Sequence, residues 1–358
     1  MEGFWIMRVL LILSLLTISF SALTACGGGS SGTGQDSIGP TTSTSPDNVT
    51  REPDEIPSVG SDVRARWQSN MITFGKFHCD KNRIQELSTW EGSVWYYDGI
   101  RVFYQIADYT RDLSFLTCAQ YVKDVYRDYV IANGGRVPGW RVFTGGLARD
   151  YLSTGDEVSR DAVVALAKNS AFADKGGDPS FEYSRETAYL ILAYLDLEKT
   201  TGERSQLLTI AVDYAKSHIR QWLSSAPNVK PFMVALTAEA LIEYAEHTGD
   251  SSAVADLPAI ARWLRGSAWS SSAGGFVYIV CRDPRSSQEC AEDIAVPAPD
   301  LNLLIAPVFS YAARLSGDQD LASFGDTVFS RGVDGAYLAG GKQFSQNYRW
   351  SFNFYKWR

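Results

Sequence analysis

Trp95, Tyr96, Tyr97 and Asp98 stand in a row at the head of GSVWYYDGIRVFYQIADY, residues 92–109. The apolar spacing of this segment predicts a helix that packs into a core, with the four residues in its first turn. Sugars present apolar C–H faces and hydroxyl rims, which aromatic platforms beside carboxylates and guanidinium groups suit. Packing alone offers a plainer account, because aromatics at helical spacing are usually core and Asp98 would complement the helix dipole. Four further segments mix aromatic and charged residues. GGRVPGWRVF (134–143) carries Trp140 and Arg141, and FEYSRETAY (181–189) carries Glu182, Tyr183, Arg185 and Glu186. PAPDLN (297–302) carries Asp300 and Asn302, while GKQFSQNYRW (341–350) carries Lys342 and Arg349. Acidic residues at helix starts, and Asp or Asn as caps, need no function to explain them. The 341–350 stretch has no clear periodicity and reads as a loop.

Two reactions fit these side chains. In glycoside hydrolysis two carboxylates flank the scissile bond, one as general acid. Asp98 with Glu182 or Glu186 is the candidate pair. In elimination from a uronate, a tyrosine removes the proton beside the carboxylate while cations neutralise that carboxylate. Tyr97 or Tyr183 would serve, with Arg141, Arg185 or Arg349. Trp95, Tyr96, Trp140, Arg141, Tyr183, Arg185, Asp300, Asn302, Lys342 and Arg349 are the candidate substrate-binding residues. Acidic and basic residues are equally numerous in the segments 131–144, 171–186, 224–231, 267–300 and 331–350, so charge does not choose between the two reactions. The three histidines, His78, His218 and His247, fall away from these segments, which argues against a histidine base or a His-rich metal site. No cofactor motif occurs: there is no glycine-rich phosphate loop ahead of a helix and no calcium loop. A net charge of −8 without a basic stripe argues against nucleic acid as a partner.

What positions these residues is a repeat. ADYTRD (107–112), DYLSTGDE (150–157), LEKTTGER (197–204), AEHTGD (245–250) and ARLSGDQD (313–320) each end one helical pattern and open another. Glycine suits a left-handed C-terminal cap, and the following Asp or Ser can cap the next helix. The period of about 45 residues marks a repeated two-helix unit, with an insertion before the last. In each unit the first helix is apolar nearly all round, as in TAYLILAYLDL (187–197), FMVALTAEALIEY (232–244) and LNLLIAPVFSYAARL (301–315). The second is amphipathic: SQLLTIAVDYAKSHIRQWL (205–223) sets Leu208, Ala211, Ala215, His218 and Trp222 on one stripe. Buried and half-exposed helices therefore alternate, implying two layers. Links from first to second helix are tight. The return links 131–144, 171–186, 224–231 and 267–300 are long, and long loops on one end usually build a functional face.

The N-terminal part is not fold. An apolar run at 9–22 follows Arg8 and ends in Leu23-Thr-Ala-Cys26. It is shorter than the roughly 20 residues a membrane span needs. It resembles a bacterial lipoprotein signal, with Met1 or Met7 as the start. The resemblance implies cleavage before Cys26, its lipidation (palmitate among the acyl groups), and anchoring of the chain to a membrane. Gly27 in place of an aspartate leans this towards the outer membrane. The organisation expected is a signal peptide over 1–25, a lipidated Cys26 with a flexible Gly/Ser/Thr-rich tether over 26–60, and a domain over 61–358. Beyond Cys26 the other cysteines are even in number, as in an oxidising compartment. Cys281 and Cys290 flank a polar loop and are expected to pair, leaving Cys79 with Cys118. No two of them stand two to four apart, as a zinc site would require.

The hairpin pattern over 62–358 resembles the (α/α) toroid of the six-hairpin glycosidase-like superfamily, in which glycoside hydrolases and polysaccharide lyases are common. The resemblance rests on architecture and on the TGD turns. It implies an all-α fold, with the sixth hairpin completed by a helix near 62–76 and the C-terminal NYRWSFNFYKW, and with a poly- or oligosaccharide as partner. An open helical solenoid has a similar period. A non-catalytic glycan- or protein-binding lipoprotein, or an envelope assembly scaffold, would use the same architecture.

Overall fold

The computed structural model describes residues 60–292 and 296–358; the segments expected as signal peptide and tether, with Cys26, lie outside them save for residue 60. The described residues are all-α, with fourteen α-helices and four two-residue strands. None of their helices is long and apolar enough to cross a membrane.

The tight turns form as their composition requires. Helices α3 (Gly99–Thr110) and α4 (Ser114–Ala132) make the first hairpin, and α5 (Gly145–Thr154) and α6 (Glu157–Asn169) the second. Helices α7 (Ser184–Thr201) and α8 (Leu208–Ser224) make the third. Then come α9 (Pro231–Thr248) with α10 (Leu257–Ser267), and α12 (Asn302–Ser316) with α13 (Gln319–Gly335). Gly155, Gly202, Gly249 and Gly317 end their helices in the left-handed region, each N–H donating to the carbonyl four residues back. A side chain there would be strained, which is why glycine recurs. Arg111 holds the same place in the first hairpin at φ 62°. The aspartates that follow act as caps: Asp156 accepts from the Val158 N–H, and Asp318 from those of Asp320 and Leu321.

The first helices of the hairpins pack on one another in sequence. Helix α3 packs on α5, α5 on α7, α7 on α9 and α9 on α12. The last helix, α14 (Gly341–Trp357), packs on both α12 and α3. Helix α1 (Ser61–His78) lies against α3, α13 and α14. Trp67 of α1 is fully buried, donates from Nε1 to Ser351 Oγ at 3.0 Å and accepts on its carbonyl from the Tyr348 hydroxyl. Helix α2 (Lys81–Glu86) follows α1, and Cys79 between them is bonded to Cys118 of α4. The second disulfide, Cys281–Cys290, closes the loop that carries α11 (Gln288–Ala291). Strand β1 (Asn228–Val229) pairs antiparallel with β4 (Val280–Cys281), and β2 (Trp269–Ser270) with β3 (Gly275–Phe276). These ribbons fold the long connections back onto the helices.

Three expectations are corrected here. The 341–350 segment is helix, not loop. Both its aromatic and its polar residues are buried, Phe344 and Trp350 alongside Gln346, Asn347 and Arg349, so no apolar stripe contrasts with a wet one. The helix after GSVWYYD starts at Gly99, so Trp95 to Asp98 precede its first turn instead of forming it. The first helices of the hairpins do carry polar groups: Glu239 of α9 and Arg349 of α14 are only 2% and 3% exposed. They face one another at 3.3 Å and offset each other's charge.

Candidate functional site

Residues 93–98 run in tight turns into α3. Tyr97 and Asp98 both lie in the left-handed region, at φ 61° and 63°. Such a conformation costs a non-glycine residue roughly 1–3 kcal/mol and persists only where the surroundings enforce it. Here the enforcement is visible. The Asp98 carboxylate accepts from the backbone N–H of Arg101 and from that of Gly146, at 3.3 and 3.1 Å. A Cβ on Gly146 would lie 2.6 Å from the Asp98 carboxylate, so only glycine lets α5 approach this closely. Burial raises the Asp98 pKa, against the pull of the Arg349 and Arg101 charges. Asp98 thus caps α3 and ties it to α5.

The three aromatics before it are enclosed. Trp95 stacks on Tyr126 at 5.8 Å, and Tyr96 meets Phe143 edge-on at 5.3 Å. Tyr97 lies edge-on to Tyr96 at 4.7 Å and to Trp350 at 5.4 Å. Lys342 brings Nζ to 4.7 Å from the Tyr96 ring. Burial pushes the Tyr97 hydroxyl up to about 12, and the nearby Arg185 and Arg349 charges act in the opposite direction.

Two guanidinium groups meet these tyrosines. Arg185 pairs with Glu186 at 2.7 Å and lies 5.9 Å from the Trp140 ring. Arg349 sits 4.3 Å over Trp350 and 5.8 Å from the Tyr189 ring. Its Nη2 reaches Glu239 at 3.3 Å, and Trp350 Nε1 donates to the same carboxylate oxygen at 2.5 Å. Arg101 approaches the other oxygen of Glu239 at 3.6 Å. Several buried polar atoms in this cluster have no hydrogen-bond partner among the described residues: Arg349 Nε and Nη1, the Tyr189 hydroxyl and Glu186 Oε2. Leaving such groups unmet costs about 1–3 kcal/mol each.

The remaining candidates scatter. Trp140 is 40% exposed and Tyr183 44% exposed. Trp140 Nε1 and Arg141 both donate to Glu91, at 3.1 and 2.7 Å. Burial works against the Glu91 charge, but those two donors hold its pKa below the usual carboxylate value. Glu182 is exposed on the rim of a separate cavity that Asp98 does not line. The Asp300 carbonyl accepts from Gln346, and its carboxylate lies near enough to raise the Tyr97 pKa. Asn302 is fully buried and donates to the Gly274 carbonyl at 2.9 Å. The structure therefore brings together Tyr96, Tyr97, Arg185, Glu186, Lys342 and Arg349. It does not bring Glu182 to Asp98, and it gives Asn302 a backbone partner.

Sequence reasoning passed over Glu91, Arg101, Tyr189, Glu239 and Trp350. For Glu239 a signal existed: FMVALTAEALIEY carries Glu239 and Glu243 in a run otherwise almost wholly apolar, and a carboxylate buried there must find a cation. Arg101 and Trp350 carried no comparable mark.

No protein-family model matches the chain, and no curated protein or solved structure matches it either.

Proposed function

We propose that the chain is an envelope protein, lipid-anchored through Cys26, whose helical hairpins form a six-hairpin (α/α) toroid. In this reading α3, α5, α7, α9, α12 and α14 are the inner ring and the other long helices the outer one. The order of helix neighbours, in which α14 returns to α3, supports it. The protein acts on an acidic polysaccharide at the end where the long connections lie, by elimination rather than hydrolysis.

One observation carries this choice. Tyr97 stands beside Arg185 and Arg349, and two nitrogens of the buried Arg349 guanidinium, together with the Tyr189 hydroxyl, have no partner among the described residues. Cations and tyrosines are what elimination from a uronate requires. The guanidinium groups take the charge that builds up on the substrate carboxylate. Tyr97 takes the proton from the carbon bearing that carboxylate. The bond to the neighbouring glycosidic oxygen breaks, a proton returns to that oxygen, and a carbon–carbon double bond remains in the ring. The hydrolytic alternative has weaker support, because the Asp98 carboxylate is occupied by two backbone N–H groups and Glu182 opens on another cavity.

The test is the full chain in detergent, incubated with uronic-acid and neutral polysaccharides, followed by ultraviolet absorbance and reducing ends together. The expected result is absorbance from unsaturated uronate, abolished in Tyr97→Phe. Its kcat/KM should rise about tenfold per pH unit through the alkaline range, because a hydroxyl held near 12 is seldom ionised at neutral pH. Reducing ends without absorbance would instead mean hydrolysis and would sink the proposed chemistry. Loss of membrane attachment in Cys26→Ser checks the anchor.

A second reading, a non-catalytic glycan-binding lipoprotein on the same scaffold, draws on a specific feature. Tyr96, Tyr97 and Asp98 are 3%, 6% and 1% exposed, so little of them is open to a polymer. Polysaccharide binding without any product would favour it.

A further inference from the structure

A separate cavity of about 220 Å³ shares none of the aromatic or guanidinium groups of the Tyr97 cluster. Phe181, Trp222 and Met233 give it apolar walls. Glu182, Asn228, Lys230, Ser287 and Glu289 give it polar ones. Each polar group has a distinct state. Lys230 Nζ donates to Glu289 at 2.8 Å, so these two charges cancel. Glu182 accepts no hydrogen bond on its carboxylate and forms no ion pair among the described residues, so one negative charge on the rim is uncompensated. Asn228 is 7% exposed, and its side-chain amide makes no hydrogen bond among the described residues. Its amide is open to solvent and lines the cavity.

The walls come from three separate parts of the chain. Phe181 and Glu182 belong to a short 3-10 turn ahead of α7. Asn228 lies in β1, in register with Cys281 of β4. Ser287 and Glu289 sit inside the loop that the Cys281–Cys290 disulfide closes. Ser287 caps α11 by accepting from the Cys290 N–H, which fixes Glu289 in the first turn. A preformed hollow with apolar sides, few polar groups and one net negative charge is the usual make-up of a small-ligand site.

We infer that this cavity binds a single hydroxylated ring bearing an ammonium group, the chemistry of an amino sugar with a free amine. The volume admits a ring of that size. Phe181 and Met233 accept its C–H face, Asn228 and Ser287 its hydroxyls, and Glu182 its ammonium. The inference does not rest on the elimination chemistry proposed above, because no residue of the Tyr97 cluster takes part.

The experiment is calorimetric titration of the full chain, in detergent and with its disulfides intact, with D-glucosamine, N-acetyl-D-glucosamine and D-glucose. Glucosamine should bind at least about tenfold more tightly than the other two, since a charged hydrogen bond is at stake. Glu182→Gln should remove that preference, and Asn228→Ala should weaken all binding. Mild reduction that opens Cys281–Cys290 should weaken it as well, while Tyr97→Phe should leave it unchanged. No binding of any of the three sugars would overturn the inference. So would equal binding of glucosamine and glucose, or a preference that survives Glu182→Gln. Because Tyr97→Phe separates the two sites, failure here and failure of the elimination reading give different results.

Discussion

At the scale of single residues, the chain spends stability where polar groups are buried, and His218 shows the consequence most directly. Its position on the apolar stripe of α8 was legible from spacing, and it is fully buried. Nε2 lies 3.0 Å from the Asp178 carbonyl, so the tautomer with hydrogen on Nε2 donates there, while Nδ1 has no partner among the described residues. Burial lowers its pKa from 6.5 to about 4. Between these values the unfolded chain binds the proton and the folded chain does not. Stability from this group is therefore complete above the unfolded value and is lost as pH falls from there towards 4, by up to about 3 kcal/mol. Urea unfolding from pH 7 to 5 should show the decline in the parent protein and a shallower one in His218→Gln. Equal slopes would mean that His218 is not the group responsible. Asp98 makes the complementary point: its type was readable as a cap, but its second partner, the Gly146 N–H, was not. That contact joins residues 48 apart in sequence, and no local pattern encodes it.

At the scale of elements, Glu239 of α9 joins α3 and α14. Trp350 Nε1 and Arg349 Nη2 meet one carboxylate oxygen, and Arg101 faces the other. The arrangement extends towards the tight-turn end, where a second cavity of about 330 Å³ is lined by Arg101, Lys199, Glu243 and Asn353. Removing the charge of a buried, paired group leaves its partners uncompensated, which typically costs about 3–5 kcal/mol. Glu239→Gln keeps the shape and one acceptor, so we expect a loss near the lower end, about 3 kcal/mol, in urea unfolding. We also expect any activity that depends on Arg349 to fall. A change below about 0.5 kcal/mol would show that Arg101 and Arg349 find other compensation. The helices themselves were legible because the TGD turns and the apolar runs are local signals. Helix α14 was not: burial on every side with mixed polarity erases the periodicity that reveals a helix.

At the scale of the whole molecule, the first and last of the described helices meet. Trp67 of α1 lies among Tyr109, Phe329, Tyr348, Phe352 and Tyr355, at centroid distances from 5.1 to 6.1 Å. The Cys79–Cys118 bond then fastens the end of α1 to α4. Helix α1 is held by this contact set and not by its own amphipathicity. Trp67→Ala should therefore cost about 4 kcal/mol by denaturant unfolding, through the lost burial and the cavity left behind. Trp140→Ala, at an exposed ring, should cost far less. Similar losses for the two variants would contradict the placement of α1 between α13 and α14.

Local chemistry was decided by the sequence alone. Glycines that must turn left, aspartates that cap, apolar runs that must be buried and cysteines even in number led to an all-α hairpin repeat, and parity with spacing led to both disulfide pairs seen in the structure. All of these depend on residues near one another in the chain or on simple counting. Tertiary structure alone decided which polar groups meet. Tyr97, Arg185, Arg349 and Glu239 come from four separate helical units, and Asp98 turned out to hold two backbone N–H groups. A charge buried far along the chain from its partner leaves no periodic trace. Its energy comes from a contact that exists only once the helices have packed.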